Sequence, residues 1–242
     1  VVVVDTNRPG MTECEELLHV AKTIVVLDHH RQSSDNIDNA LLSYIEPYAS
    51  SACEMVSEVL QYIVDDIKIP NLEASSLYAG IMIDTNNFMN KTGVRTFEAA
   101  AFLRRSGADI TLVRKMFRDD MESYRAKAQI ISSAKVYHNK YAIARGENLT
   151  IESPTIIGAQ AANELLDINE VKASFVLTTY NGRIYVSARS IDEVNVQIIM
   201  ERLGGGGHMN ASGAQFDHTD MDEAVADLKQ VIDDVIEGGE IE

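Results

Sequence analysis

The chain has 242 residues, 45% of them apolar, and a formal charge of −16 at pH 7, which is enough sequence for one large core or two small ones. No apolar run approaches the roughly 20 residues that a membrane helix needs, and 21 Lys and Arg against 37 Asp and Glu exclude a surface built to track a long polyanion. Cys14 and Cys53 lack the C-x-x-C spacing of a redox or zinc pair, so neither a disulfide framework nor a zinc knuckle is expected.

Residues 1–4, VVVV, predict a buried strand that opens at the first residue, and the absence of an initiator Met leads us to expect a piece of a longer chain. Residues 12–21 predict an amphipathic helix with Thr12 as N-cap and Glu15 three residues on, and residues 23–27 a second strand. A right-handed crossover would make these strands parallel, with both C-terminal ends at one sheet edge. LLSYI at 41–45 predicts a third strand. Ser50 or Ser51 then caps a helix to about residue 66, and helices follow at 71–83, 95–107 with its Gly stop, and 119–135.

After residue 135 the pattern becomes strand-like, and a second domain is expected. VKASFVLTTYNGRIYVSARS reads as a hairpin turning on Asn181 and Gly182, the pair favoured in a type I′ turn. Period-2 alternation puts Tyr185, Ser187 and Arg189 on one face. The helix VNVQIIMERL runs into GGGGH, and a last helix covers about 220–237.

Asp5 and Asp28 each stand where a buried parallel strand leaves the sheet, the edge at which open α/β sheets place ligands. Asp28 continues into His29 and His30. Mixed carboxylate and imidazole donors suit Mn²⁺, Fe²⁺ or Zn²⁺, and Mn²⁺ best matches an oxygen-rich set. Asp84 closes the apolar segment YAGIMID. A carboxylate at a helix C-terminus opposes the dipole, and a cation would compensate it.

One Gly after a helix is a C-cap, so Gly204 needs no function. Four in succession suggest backbone that approaches a phosphate, with His208 as an added donor, and Arg189 offers a bidentate clamp. DHTDMDE at 217–223 also crowds possible ligands, His218, Asp220 and Asp222, but reads more simply as the acidic start of the last helix.

The stretches VVVVDTNRP, LDHH, GIMIDTNNF and GGGGHMNASGA resemble, in order and spacing, the DHH phosphoesterase family with its DHHA1 companion domain. The wording DTNRP and DTNNFMNKTGVRTFEAAAFLRRSGAD is most similar to the bacterial membrane-anchored cyclic di-AMP phosphodiesterases of the GdpP type. The resemblance implies an α/β fold. A parallel-sheet DHH domain would span 1–118, a helical linker 119–135 and a smaller α+β DHHA1 domain 136–242.

The same resemblance implies Asp5 as the bridge between two Mn²⁺ ions, with His29 and Asp84 as further catalytic metal ligands. Asp28 and His30 would orient the ligands by hydrogen bonds. Arg189, Asn195, Gly205, Gly206, Gly207 and His208 would contact the nucleotide and its phosphate. The family's opening motif, His-x-x-x-Asp-x-Asp, does not occur in the chain and is expected upstream of Val1, so at most one tightly held metal and slow or absent hydrolysis are expected of the chain alone. The implied activity is opening of cyclic di-AMP to pApA by a cytoplasmic part of a membrane-anchored protein. A short linear oligonucleotide hydrolase and a non-catalytic nucleotide-binding module are the alternatives, and homodimerisation stays open.

Overall fold

The three apolar runs at the start of the chain pair side by side in the computed structural model, which describes residues 1–32, 34–63, 66–191, 194–217 and 220–239. β1 (Val2–Val4), β2 (Val25–Asp28) and β3 (Leu42–Ile45) form a parallel sheet in that order. Val3 lies opposite Val26, and both are buried with Leu18, Ile24 and Ile37 in one cluster. Burying a side chain such as Val26 contributes about 1.5–3 kcal/mol. Because the strands are parallel, their C-terminal ends reach one edge.

The connecting helix is shorter than its pattern predicts: α1 spans Glu16–Val20, and Glu15 rather than Thr12 precedes it. Thr12 is drawn off by a 3-10 turn at Pro9–Met11, where its hydroxyl donates to the Pro9 carbonyl. α2 (Ala52–Ile63) starts as expected, with the Ser51 hydroxyl accepting the Glu54 N–H at 3.0 Å. It is described only to Ile63, short of the expected residue 66, and residues 64 and 65 lie outside the described set. α3 (Asn71–Asp84) and α4 (Val94–Arg105) pack through Ala74, Ile81, Ala99 and Leu103. Gly107, at φ 103°, ends α4 as predicted. α5 (Ile110–Met116), capped by Asp109, was not anticipated. These elements belong to a first compact unit, Val1–Arg118; the second is Asp119–Glu242.

In the second unit α6 (Met121–Ser132) precedes β4 (Lys135–Tyr137) and β5 (Tyr141–Gly146). Then come α7 (Pro154–Leu165), β6 (Ala173–Tyr180), β7 (Arg183–Ser190) and α8 (Val196–Arg202). β8 (Gly206–His208), β9 (Ala211–Phe216) and α9 (Met221–Glu237) complete it. The sheet runs β4-β5-β6-β7-β9-β8. β5 and β6 are parallel across the α7 crossover, and the other neighbours are antiparallel. Asn181 and Gly182, at φ 49° and 72°, make the left-handed turn that the hairpin requires.

Phe175, Leu177, Ile184, Val186 and Ala188 face α8 and α9 in one core cluster. On the opposite face Ala142, Ala144 and Val176 pack with α6 and α7. Asp220 caps α9 by accepting the N–H groups of Asp222 and Glu223, which supports the reading of that acidic stretch as a helix start; His218 lies outside the described residues. Among the described residues no helix is long and apolar enough to cross a membrane.

Candidate metal centre

Asp5 follows β1 and stands in the left-handed region at φ 65°, with its N–H on the Leu27 carbonyl at 3.0 Å. The left-handed turn sends the chain away from the sheet immediately after the last paired residue. Few residues tolerate this conformation, and Asp and Asn are among them. Next door β2 ends in Asp28 and delivers His29 to the same edge.

The His29 Nε2 atom lies 3.3 Å from Asp5 Oδ1 and 3.8 Å from Asp84 Oδ2. Donors sharing one cation at about 2.1 Å sit about 3 Å apart when at right angles; the His29–Asp5 pair is near that spacing, while Asp84 stands farther from His29 and falls outside the group of donor atoms within 4.8 Å of one another. Asp5, His29 and His30 each offer a ligand atom within 4.8 Å of the others. The donor set fits a divalent cation that takes carboxylate oxygen and imidazole nitrogen.

Asp84 is the last residue of α3, so the expected opposition between its carboxylate and the helix dipole is built into the fold. Burial pushes its carboxyl above the usual range, His29 opposes the shift and Asp5 adds to it. A raised folded pKa means that the folded chain holds this proton more tightly than the unfolded chain does. The stabilisation is complete below the unfolded value and is lost as pH rises through the folded one. In metal-free protein Asp84 therefore works against the fold as pH rises above the ordinary Asp range. Asp84→Asn is expected to raise the metal-free melting temperature at pH 7, with the gain shrinking towards about pH 4, near the ordinary Asp value; calorimetry at the two pH values checks it.

Cys53 lies close by in α2. Its thiol is pushed up to about 11 by burial, then by Asp84 and Asp5, which suits a packing residue and not a nucleophile.

Asp28 is fully buried and is held from two sides. Its Oδ1 takes the His30 N–H at 3.2 Å and lies 2.7 Å from His30 Nδ1, while its Oδ2 accepts from Asn7 Nδ2 at 2.6 Å. His30 stacks at a tilt on His29, with ring centroids 4.4 Å apart. Asn7 is absent from the residues that the sequence points to. Its only signal is a place inside DTNRP.

In the second unit two of the residues expected to contact phosphate, Arg189 and His208, share a register row, whereas Gly207 lies in a row of the opposite face. His208 pairs with Ala211, Ala211 with Arg189, and Arg189 with Ser174, so all four side chains leave one sheet face. Two strand spacings put Arg189 and His208 about 10 Å apart. The adjacent row is Gly206, Gly213 and Ser187, a floor of small residues. Burial pushes the Arg189 guanidinium pKa down, a desolvation that an anion would relieve, and one of its N–H groups donates to the Ala188 carbonyl at 2.8 Å. Asn195 caps α8, accepting the Gln197 N–H at 3.1 Å.

Two glycines of the run have a packing reason. A Cβ on Gly205 would strike Gly213 O and Ala214 Cα, and one on Gly207, at φ 145°, would lie 2.6 Å from Ala211 O. Gly206 has open space around it.

Residues 1–81 match the DHH family, N-terminal domain, and residues 146–237 match the DHHA1 domain. The chain is 44% identical over 239 residues to the cyclic-di-AMP phosphodiesterase GdpP of Geobacillus thermodenitrificans, covering 98% of this chain and 36% of that protein. It thus spans about a third of the length of that relative. The bifunctional oligoribonuclease and PAP phosphatase NrnA of Mycoplasma genitalium is 30% identical over 219 residues, which cover 88% of this chain and 67% of NrnA. The fold is shared with an exopolyphosphatase-related protein from Bacteroides fragilis, at a TM-score of 0.83 and 23% identity over 97% of this chain and 71% of that one. With the strand-end carboxylates and paired histidines in its first unit and the glycine-edged sheet in its second, the chain belongs to the DHH family and carries the DHHA1 domain.

Proposed function

We infer that this chain is the hydrolytic part of a longer, membrane-anchored phosphodiesterase that opens cyclic di-AMP to pApA, with Mn²⁺ as the working cation. The observation that carries the reading is the meeting of Asp5 and Asp84 oxygens on His29 Nε2 at 3.3 and 3.8 Å. The name of the 44% identical relative supports the substrate. Bound divalent cations would supply charge stabilisation for an in-line displacement at phosphorus and lower the pKa of water.

The chain's own groups would do the rest. Asp5 and Asp84 provide anionic oxygens, and His29 provides a nitrogen lone pair. Arg189 and His208 hold a phosphate above the small-residue floor, where Gly206 lets the backbone come close. A second reading, hydrolysis of short linear oligonucleotides, draws support from the likeness to NrnA.

Product chromatography on the full-length protein with Mn²⁺ decides between them. Rapid release of pApA from the cyclic dinucleotide bears out the first reading, and turnover of linear dinucleotides alone bears out the second. Arg189→Ala and His208→Ala are each expected to weaken cyclic di-AMP binding about tenfold or more, the worth of one charge-assisted contact, and to leave Mn²⁺ content unchanged. Calorimetric titration with nucleotide and elemental analysis of the same samples measure both.

A further inference from the structure

The face of the second sheet that carries Arg189 is only half covered. Arg189 shares its register row with Ser174 and Ala142, and on the β5 and β6 side Ala142, Ala144 and Val176 pack with α6 and α7. There α7 lies so close that a Cβ on Gly158 would come within 2.7 Å of Thr178 Cγ2. Among the described residues nothing from β7, β8 or β9 joins that core cluster. The uncovered half runs beside α7 as a shelf, and its rows can be followed from Arg189. The first holds Arg189 and His208, the second the small residues Ser187, Gly213 and Gly206, and the third Tyr185 and Gln215, paired across β7 and β9.

The third row differs in kind from the second. The Tyr185 ring leans on Tyr180 with centroids 6.2 Å apart, and Gln215 is exposed beside it. Among the described residues neither the Tyr185 hydroxyl nor the Gln215 amide has a hydrogen-bond partner. Arg189 and Tyr185 are four residues apart on β7, about 13 Å of strand, a reach on the order of that from a nucleotide's phosphate to its base. With the phosphate at Arg189 and His208, the sugar crosses the small row and the base arrives at the ring and the amide. Adenine presents its N6 amino donor next to the N7 acceptor, a pair that the oxygen and the NH₂ of one amide match together. We propose that Tyr185 and Gln215 form a base subsite, Tyr185 stacking an adenine and Gln215 reading its N6 and N7 edge. This rests on the reading of the chain as part of a cyclic di-AMP phosphodiesterase, and it names what would set the base preference.

The test compares kcat/KM of the full-length protein with Mn²⁺ for two probes, cyclic di-AMP and its 7-deaza analogue, in which carbon replaces N7. The parent is expected to favour cyclic di-AMP about fivefold or more, the worth of the N7 contact. Gln215→Leu should lower kcat/KM for cyclic di-AMP about tenfold or more and should no longer distinguish the probes, because the group that reads N7 is gone. Tyr185→Thr keeps a strand-forming residue and removes the ring, and should lower both probes alike by about tenfold. Tyr185→Phe keeps the ring and should stay within about twofold of the parent. Gln215 is exposed, so its variant informs even if Tyr185→Thr does not fold. Turnover of cyclic di-AMP by Gln215→Leu within about twofold of the parent, or a probe preference that survives the substitution, overturns the subsite alone. A parent that does not open cyclic di-AMP overturns the functional reading and the subsite with it.

Discussion

Asp5→Asn is expected to lower the proposed Mn²⁺-dependent phosphodiesterase activity of the full-length protein by roughly a hundredfold or more, since a metal's charge stabilisation is worth several kcal/mol. Asn is the informative replacement. It accepts the left-handed turn at φ 65° as readily as Asp does, so the fold survives while the charge next to His29 Nε2 is lost. Ala would add backbone strain of about 1–2 kcal/mol and blur the result. Melting curves that superimpose for parent and Asp5→Asn, together with lost metal by elemental analysis, assign the defect to ligation. Near-parent turnover in Asp5→Asn would remove Asp5 from the centre.

The second large effect is expected at the glycine edge. Gly207→Ala combines a left-handed conformation with a Cβ 2.6 Å from Ala211 O and 2.7 Å from Ser212 Cα, where the near atoms are backbone and cannot swing aside. Strain and overpacking together should cost about 2–5 kcal/mol, and β8 should separate from β9. Gly205→Ala meets backbone in the same way. Gly206→Ala meets nothing within 4 Å and should leave stability within about 1 kcal/mol of the parent. It should nonetheless weaken nucleotide binding if a phosphate rests on that floor. Denaturant melts beside nucleotide titrations separate the three positions; a stable Gly206→Ala variant with unchanged affinity would take the phosphate off this strand.

The strand-end carboxylates were legible because β-branched runs followed by Asp leave little choice of structure, and the parallel pairing of β1 with β2 turns two distant positions into neighbours. Asp84 was legible as the close of the apolar segment YAGIMID, which could also have been read as a strand and which the structure makes the end of α3. Thr12 was misread: a Ser or Thr ahead of an apolar run scores as an N-cap, but Pro9 starts a turn that takes the Thr12 hydroxyl first. α7 had a signal that went unused, Ser153 followed by Pro154 at the first helical turn. Its buried residues, Pro154, Ile157, Gly158, Ala161, Ala162 and Leu165, follow one helical face, a period that was also present in the sequence and not used.

The glycine run was read for ligand chemistry, and the structure adds the tight β8–β9 approach that local sequence does not encode. Asn7 could not be found by pattern. A buried amide becomes informative only when the carboxylate it touches is known.

The turn at Asp5 also bears on how this lineage can change. One base substitution turns an Asp codon into Asn or Gly, and both suit the left-handed backbone. On the proposed function, catalysis can therefore be lost in a single genetic step that folding does not oppose, with the second unit left intact. Glu, the other carboxylate within one base change, keeps the charge but brings a longer arm and a poorer turn. The position is thus open towards silence and closed towards variation, and inactive descendants of this fold should most often carry Asn or Gly at Asp5.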